Sequence, residues 1–172
     1  MHLQTEFRVQ VTSKTKPEMK VSLNLRNYQN RKQFNDAVRF ILDEKVGFLQ
    51  VRVEWLTPIP SWLKDSDYVG DYVFEWIHLN RWERREILAY VAIFGEERLS
   101  ELDGWSAFMT DIEERGEGRH TSPADFARDL IERQQSPFFM QEWEEFIDYD
   151  KYFEDRLSGS YEGYDSYYFY IN

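Results

Sequence analysis

Phe7, Val9 and Val11 alternate with polar residues, and Val21, Leu23 and Leu25 alternate with Ser22, Asn24 and Arg26. A period of two places one set of side chains on one face of a strand. The two runs flank a polar loop at 14–19 that contains Pro17, so they predict a hairpin. Phe34, Ala37, Val38, Ile41 and Leu42 then recur at helical spacing ahead of Gly47, and Leu49, Val51, Val53 and Trp55 return to alternation. The expected order is β-β-α-β, a small unit in which three strands cover one face of a helix.

Pro58 and Pro60 interrupt the chain after the third strand, and 61–70 reads as a connection. Val73, Phe74, Trp76 and Ile77 predict a short helix before Asn80. Ile87, Leu88, Val91 and Phe94 predict a second, ended by Gly95. Trp105, Phe108, Met109 and Ile112 sit at i, i+3, i+4 and i+7, an amphipathic helix stopped by Gly116 and Gly118. Ser122, Pro123 and Asp125 then form a helix-start signal, with Asp in place of the usual capping-box Glu. Phe126, Leu130 and Ile131 give that helix its apolar face. After Pro137, Trp143, Phe146 and Ile147 predict another helix running towards Leu157. The stretch from Tyr161 to Ile171 is aromatic and β-prone, with a turn allowed by Gly163. The fold class is α+β, in three segments: a sheet-plus-helix unit (1–60), a helical subdomain (61–118) and a C-terminal α+β subdomain (119–172).

Aromatic residues make up 17% of the 172-residue chain, which supports a packed core rather than disorder. The absence of cysteine excludes disulfides and thiolate metal sites and fits a reducing, cytoplasmic compartment. No run approaches the roughly 20 apolar residues of a membrane helix. Charge is unevenly divided. Residues 1–60 carry 10 Lys+Arg and 6 Asp+Glu, net +4, whereas residues 61–172 carry 11 and 26, net -15. A charge split of this kind points to a polyionic partner, and an acidic surface attracts basic ones.

His2, His78 and His120 do not pair at metal-ligand spacing, the glycines form no phosphate loop, and no nucleophile elbow is present. No cofactor, no metal and no catalytic residue are expected. The acidic runs are the informative feature. One is Asp111, Glu113, Glu114 and Glu117, and the densest spans 141–150 with Glu142, Glu144, Glu145, Asp148 and Asp150 and no basic residue. Glu154, Asp155, Glu162 and Asp165 follow. On one continuous helix, Glu144, Asp148 and Asp155 would share a face with Lys151, at charge steps of about 6 Å. Phosphates on one DNA strand advance by about 3.4 Å per charge, a comparable scale. Tyr149, Tyr152, Tyr161, Tyr164, Tyr167, Tyr168 and Tyr170 crowd the same region and suit packing or a protein interface better than base stacking.

The stretch FIDYDKYFEDRLSG, Phe146 to Gly159, resembles the C-terminal pattern of the ArdA antirestriction family, with Ile147, Asp148, Tyr149, Tyr152 and Asp155 matching position by position. SPADFARDLIE and LNRWERREILAYVAIFG resemble the helices that precede it in that family. The likeness covers roughly 71–172. The N-terminal segment departs from it, since VRVEWLTPIP stands where the family carries an acidic stretch.

The resemblance implies an elongated, dimeric, three-part protein that mimics bent DNA and blocks the DNA groove of type I restriction-modification enzymes, chiefly the methyltransferase core. It implies stoichiometric competition without cofactor, enzymatic activity, membrane or direct nucleic-acid binding. The carboxylates named above would stand in for phosphates, most strongly between Asp65 and Asp165. Two alternatives remain: an adaptor that uses the tyrosine-rich C-terminus, and an inhibitor of another nucleic-acid enzyme such as a CRISPR effector.

Overall fold

A computed structural model describes residues 6–43 and 49–172; His2 and Gly47 lie outside them. The chain divides into two units, Met1–Asn80 and Arg81–Asn172.

In the first unit, β1 (Arg8–Ser13) is the central strand of an antiparallel sheet, flanked by β2 (Lys20–Asn24) and β3 (Val51–Trp55). Val11 stands opposite Val21 on one side and Val53 on the other, so the alternating apolar residues fall into register. Leu25 does not extend β2. Asn24 accepts the Arg26 N–H through its side chain and turns the chain into a 3-10 turn (Leu25–Asn27), which keeps Leu25 buried. Helix α1 (Arg31–Ile41) starts at Asn30, whose side chain accepts the Gln33 N–H, and buries Phe34 and Val38. Helix α2 (Asp71–His78) buries Val73, Phe74, Trp76 and Ile77, and the Phe74 ring lies 6.0 Å from Phe34.

The stretch 61–70 is stitched onto β3 rather than hanging free as a boundary. The Val53 N–H donates to the Ser66 carbonyl at 2.7 Å, Trp55 Nε1 donates to the Asp65 carbonyl at 2.9 Å, and Leu63 and Val69 are buried. These bonds carry the first unit through α2 to Asn80.

The second unit contains α3 (Arg81–Phe94), α4 (Arg98–Glu101), α5 (Gly104–Arg115), β4 (Gly116–Arg119), α6 (Pro123–Gln134), α7 (Pro137–Trp143), α8 (Tyr149–Tyr152), β5 (Tyr161–Tyr164) and β6 (Tyr167–Tyr170). Strand β6 is central in an antiparallel β4-β6-β5 sheet. Its alternation joins two cores. Phe169 meets Tyr90 of α3 at 5.6 Å, and Tyr90 meets Phe108 of α5 at 5.5 Å. Tyr168, on the opposite face, stacks on Phe126 of α6 at 4.7 Å and belongs to a cluster with Ala127, Leu130 and Leu157. One strand serving both cores makes 81–172 a single unit, and the expected joint at 118 falls inside β4.

The α6 start forms at Ser122, but its reciprocal bond is shifted. Ser122 Oγ accepts the Asp125 N–H at 3.1 Å, and Asp125 Oδ2 accepts the Thr121 N–H at 2.9 Å, one residue before the usual capping-box donor. The terminal hairpin forms, but Gly163 is not its turn. The turn is Asp165–Ser166, with φ of 49° and 73°, the two positive values of a type I′ turn. Gly163 lies in β5 opposite Tyr168, where a Cβ would come within 2.6 Å of the Tyr168 ring.

The long helix expected after Pro137 is broken. Helix α7 passes into a 3-10 turn (Glu144–Phe146), Ile147 and Asp148 adopt extended ψ values of 117° and 94°, and α8 follows. A π turn (Phe153–Leu157) then closes through the Ser158 N–H and the Phe153 carbonyl at 2.9 Å. Glu144 and Asp148 therefore do not share a helical face. Between Glu132 and Arg156 no residue is fully buried.

Candidate functional site

Residues 81–172 carry 10 Lys+Arg and 22 Asp+Glu, net -12, and residues 1–80 carry 11 and 10, net +1; together these recover -11. The acidic character belongs to the second unit. Its thirteen carboxylates singled out by sequence fall into two groups.

Four are held by arginine. Asp111 is the most enclosed, its side chain 15% exposed, with Arg98 Nη2 at 3.1 Å and Arg115 Nε at 3.1 Å. The Tyr90 hydroxyl donates to the same carboxylate. Burial works against the charged form of Asp111, but the bonds from Tyr90, Arg115 and Arg98 outweigh it and hold the carboxyl below its ordinary value. Glu117 pairs with Arg133 at 3.2 Å, and Glu144 pairs with Arg128, which also holds Glu132. Asp165 receives two bonds from Arg85. The partners lie on other elements, 13 to 80 residues away except Arg115, so sequence spacing did not reveal them.

The other nine are exposed and, among the described residues, form no ion pair: Glu113 and Glu114 on α5, Glu142 on α7, Glu145, Asp148, Asp150, Glu154 and Asp155 along the α7–α8 segment, and Glu162 on β5. Asp148 has a local task, accepting the Lys151 N–H at 3.1 Å to start α8. The helix breaks at 144–148 and 153–157 remove the single continuous helix on which Glu144, Asp148 and Asp155 would have shared a face.

The stretch that carries the family likeness divides in the same way. Tyr149, Tyr152 and Phe153 pack against the Phe126–Leu130–Tyr168 cluster, and Asp148 caps a helix. Of its matched residues, Asp155 alone is exposed with no packing, capping or ion-pair role among the described residues. The tyrosines are a packing device here. Tyr167 and Tyr168 are buried, while Tyr164 and Tyr170 remain exposed.

Glu86 was not apparent in the sequence as a member of this surface. It is half-buried on α3, and burial first, then Glu113 and Glu83, push its carboxyl above the ordinary range. Glu86 on α3 thus feels the like charges of Glu113 on α5 and Glu83 on its own helix. No group of His, Asp and Glu among the described residues has metal-binding geometry. His120 Nε2 lies 3.1 Å from the Glu117 carbonyl, with its ring against Phe126 and Tyr168. The acidic surface also has an edge: Arg81, Arg85 and Arg119 surround the Trp82 ring at 5.8, 5.7 and 5.0 Å.

In the first unit, a cleft of about 350 Å³ lies between α1 and the sheet, floored by Phe34, Val51 and Val53 and edged by Arg31, Arg39 and Asp67. Asp67 is the one carboxylate among its described lining residues, and Lys14 donates to it at 2.6 Å. Among the described residues no helix is long and apolar enough to cross a membrane. No family model, curated protein or solved structure matches the chain.

Proposed function

We propose that this chain is a protein inhibitor of the ArdA antirestriction type, which presents carboxylates of its C-terminal unit in place of DNA phosphates to the DNA groove of a type I restriction-modification enzyme. The observation that carries the reading is the set of nine exposed carboxylates that have no ion-pair partner among the described residues, on a unit of net charge -12. An unpaired carboxylate meets an incoming Lys or Arg without first breaking an existing pair, an advantage of up to about 1 kcal/mol at an exposed site. In this reading the protein acts in the cytoplasm by stoichiometric competition, as a homodimer, without catalysis or cofactor. The first unit serves as scaffold or touches another part of the target.

The test is competition between the purified protein and duplex DNA for a type I methyltransferase, followed across salt concentration. Binding is expected to weaken steeply with salt, with a log–log slope that falls by roughly one for each contacting carboxylate changed to its amide. Absence of competition at low salt would overturn the reading.

A second reading, an adaptor protein, is favoured by a different observation: large aromatic side chains stand exposed on the α7 segment.

A further inference from the structure

Helix α7 has no buried residue. Phe138 is 68% exposed, Trp143 53% and Phe146 71%, and the last two rings touch at a centroid distance of 6.1 Å. Exposing three such side chains on one short segment is unfavourable in water, since each buries roughly 150–250 Å² when covered. Aromatics set in a polar rim mark interaction surfaces, and Trp is prominent among the anchors that dominate binding energy.

We infer that Trp143 and Phe146 form an aromatic anchor that docks into an apolar pocket rimmed by Lys and Arg on a protein partner. The rim of the patch decides the occupant. Residues 141–150 contribute Glu142, Glu144, Glu145, Asp148 and Asp150 and no cation. Arg128, which pairs with Glu144 of this run, is shared with Glu132, and Lys151, next in the chain, leaves the segment from 141 to 151 strongly negative. A second copy docking patch to patch would set these carboxylates against their own kind, which costs free energy. An anionic membrane surface is disfavoured for the same reason. A basic rim around an apolar pocket complements both features at once. This goes beyond phosphate mimicry, which has no use for aromatic side chains, and the partner need not be a restriction enzyme.

The test uses the full chain and two labelled helical peptides, one with Leu on one face and Lys on the other, one with Ser replacing every Leu. Fluorescence anisotropy at about 150 mM salt, where long-range charge effects are screened, should show the Leu/Lys peptide bound at least about tenfold more tightly. Trp143→Ser with Phe146→Ser should remove that preference, leave Ser/Lys binding unchanged, and leave the circular dichroism and Tm of the protein intact. Glu142→Gln with Glu145→Gln should weaken both peptides. Equal binding of the two peptides by the wild type would overturn the inference, as would a preference that survives loss of Trp143 and Phe146. It would also be overturned by a dimer that the aromatic variant dissociates, or by binding of the wild type to zwitterionic vesicles.

Discussion

Arg85 and Asp165, 80 residues apart, form a two-pronged pair: Nε to Oδ2 at 2.8 Å and Nη2 to Oδ1 at 2.7 Å. The pair ties α3 to the β5–β6 turn and fixes a residue with positive φ. The bond from Arg85 holds the Asp165 carboxyl below its ordinary value. A depressed carboxyl contributes stability above its unfolded pKa, about 3.9, and loses it as pH falls through the folded value. Arg85→Ala should therefore lower Tm at pH 7, and its difference from wild type should shrink below about pH 4. Thermal unfolding across pH checks this, and a constant difference would contradict it.

Ser166 is the second residue of the turn and has φ of 73°. A left-handed conformation costs a non-glycine residue roughly 1–2 kcal/mol, partly offset by the greater unfolded-state freedom of glycine. Ser166→Gly should raise stability by about 0.5 kcal/mol, read from denaturant midpoints.

Tyr90 is fully buried, and its hydroxyl serves Asp111 and Arg98. Burial and the bond to Asp111 push its pKa up to about 12. The stabilisation is complete below the unfolded value of about 10 and disappears as pH rises through the folded one. Tyr90→Phe keeps the ring contacts and should cost about 1–2 kcal/mol at neutral pH. That cost should diminish between about pH 10 and 12, and chemical denaturation at both ends of the range measures it.

Gly163→Ala would bring a Cβ within 2.6 Å of the Tyr168 ring. The ring is stacked on Phe126 at 14° and has little room to yield. The expected cost is about 1–3 kcal/mol, with loss of near-ultraviolet dichroism from the aromatic cluster if the stack shifts.

Glu86 behaves oppositely to Asp165. Its carboxyl is raised, so the ionised form opposes folding and the proton favours it. Glu86→Gln should raise Tm at pH 7, with the gain shrinking as pH falls towards the unfolded value of about 4.3 and gone once pH is well below it. If the crowded carboxylates serve inhibition, the same variant should bind the methyltransferase less well.

Local signals in the sequence were strong where one face of an element meets a core. The alternation of Val9, Val11, Val51 and Val53 and the spacing of Phe108 and Ile112 led directly to buried residues. Gly116 to Arg119 has no alternation, and its glycines signal only a helix stop; its partner β6, far along the chain, makes it strand β4. The hairpin turn was misplaced because Gly163 serves a ring contact across the sheet, not a backbone angle. The acidic residues were legible as a list but not as a surface. Their division into paired and free groups depends on Arg85, Arg98, Arg128 and Arg133, whose partners lie on other elements or distant turns. Periodicity also marked Trp143 and Phe146 as one face of a helix, but it does not say whether a neighbour covers that face.

The absence of buried anchors in α7 has an energetic consequence. Its hydrogen bonds can break by local opening, at far less cost than unfolding β6. Amide hydrogens there would exchange ahead of those in the sheet, and a protease would cut there more readily than in β6. For any partner that grips this segment, recognition and local ordering become a single equilibrium. Part of the binding free energy is then spent on closing the helix, and the heat-capacity change should exceed that of a rigid surface of equal area.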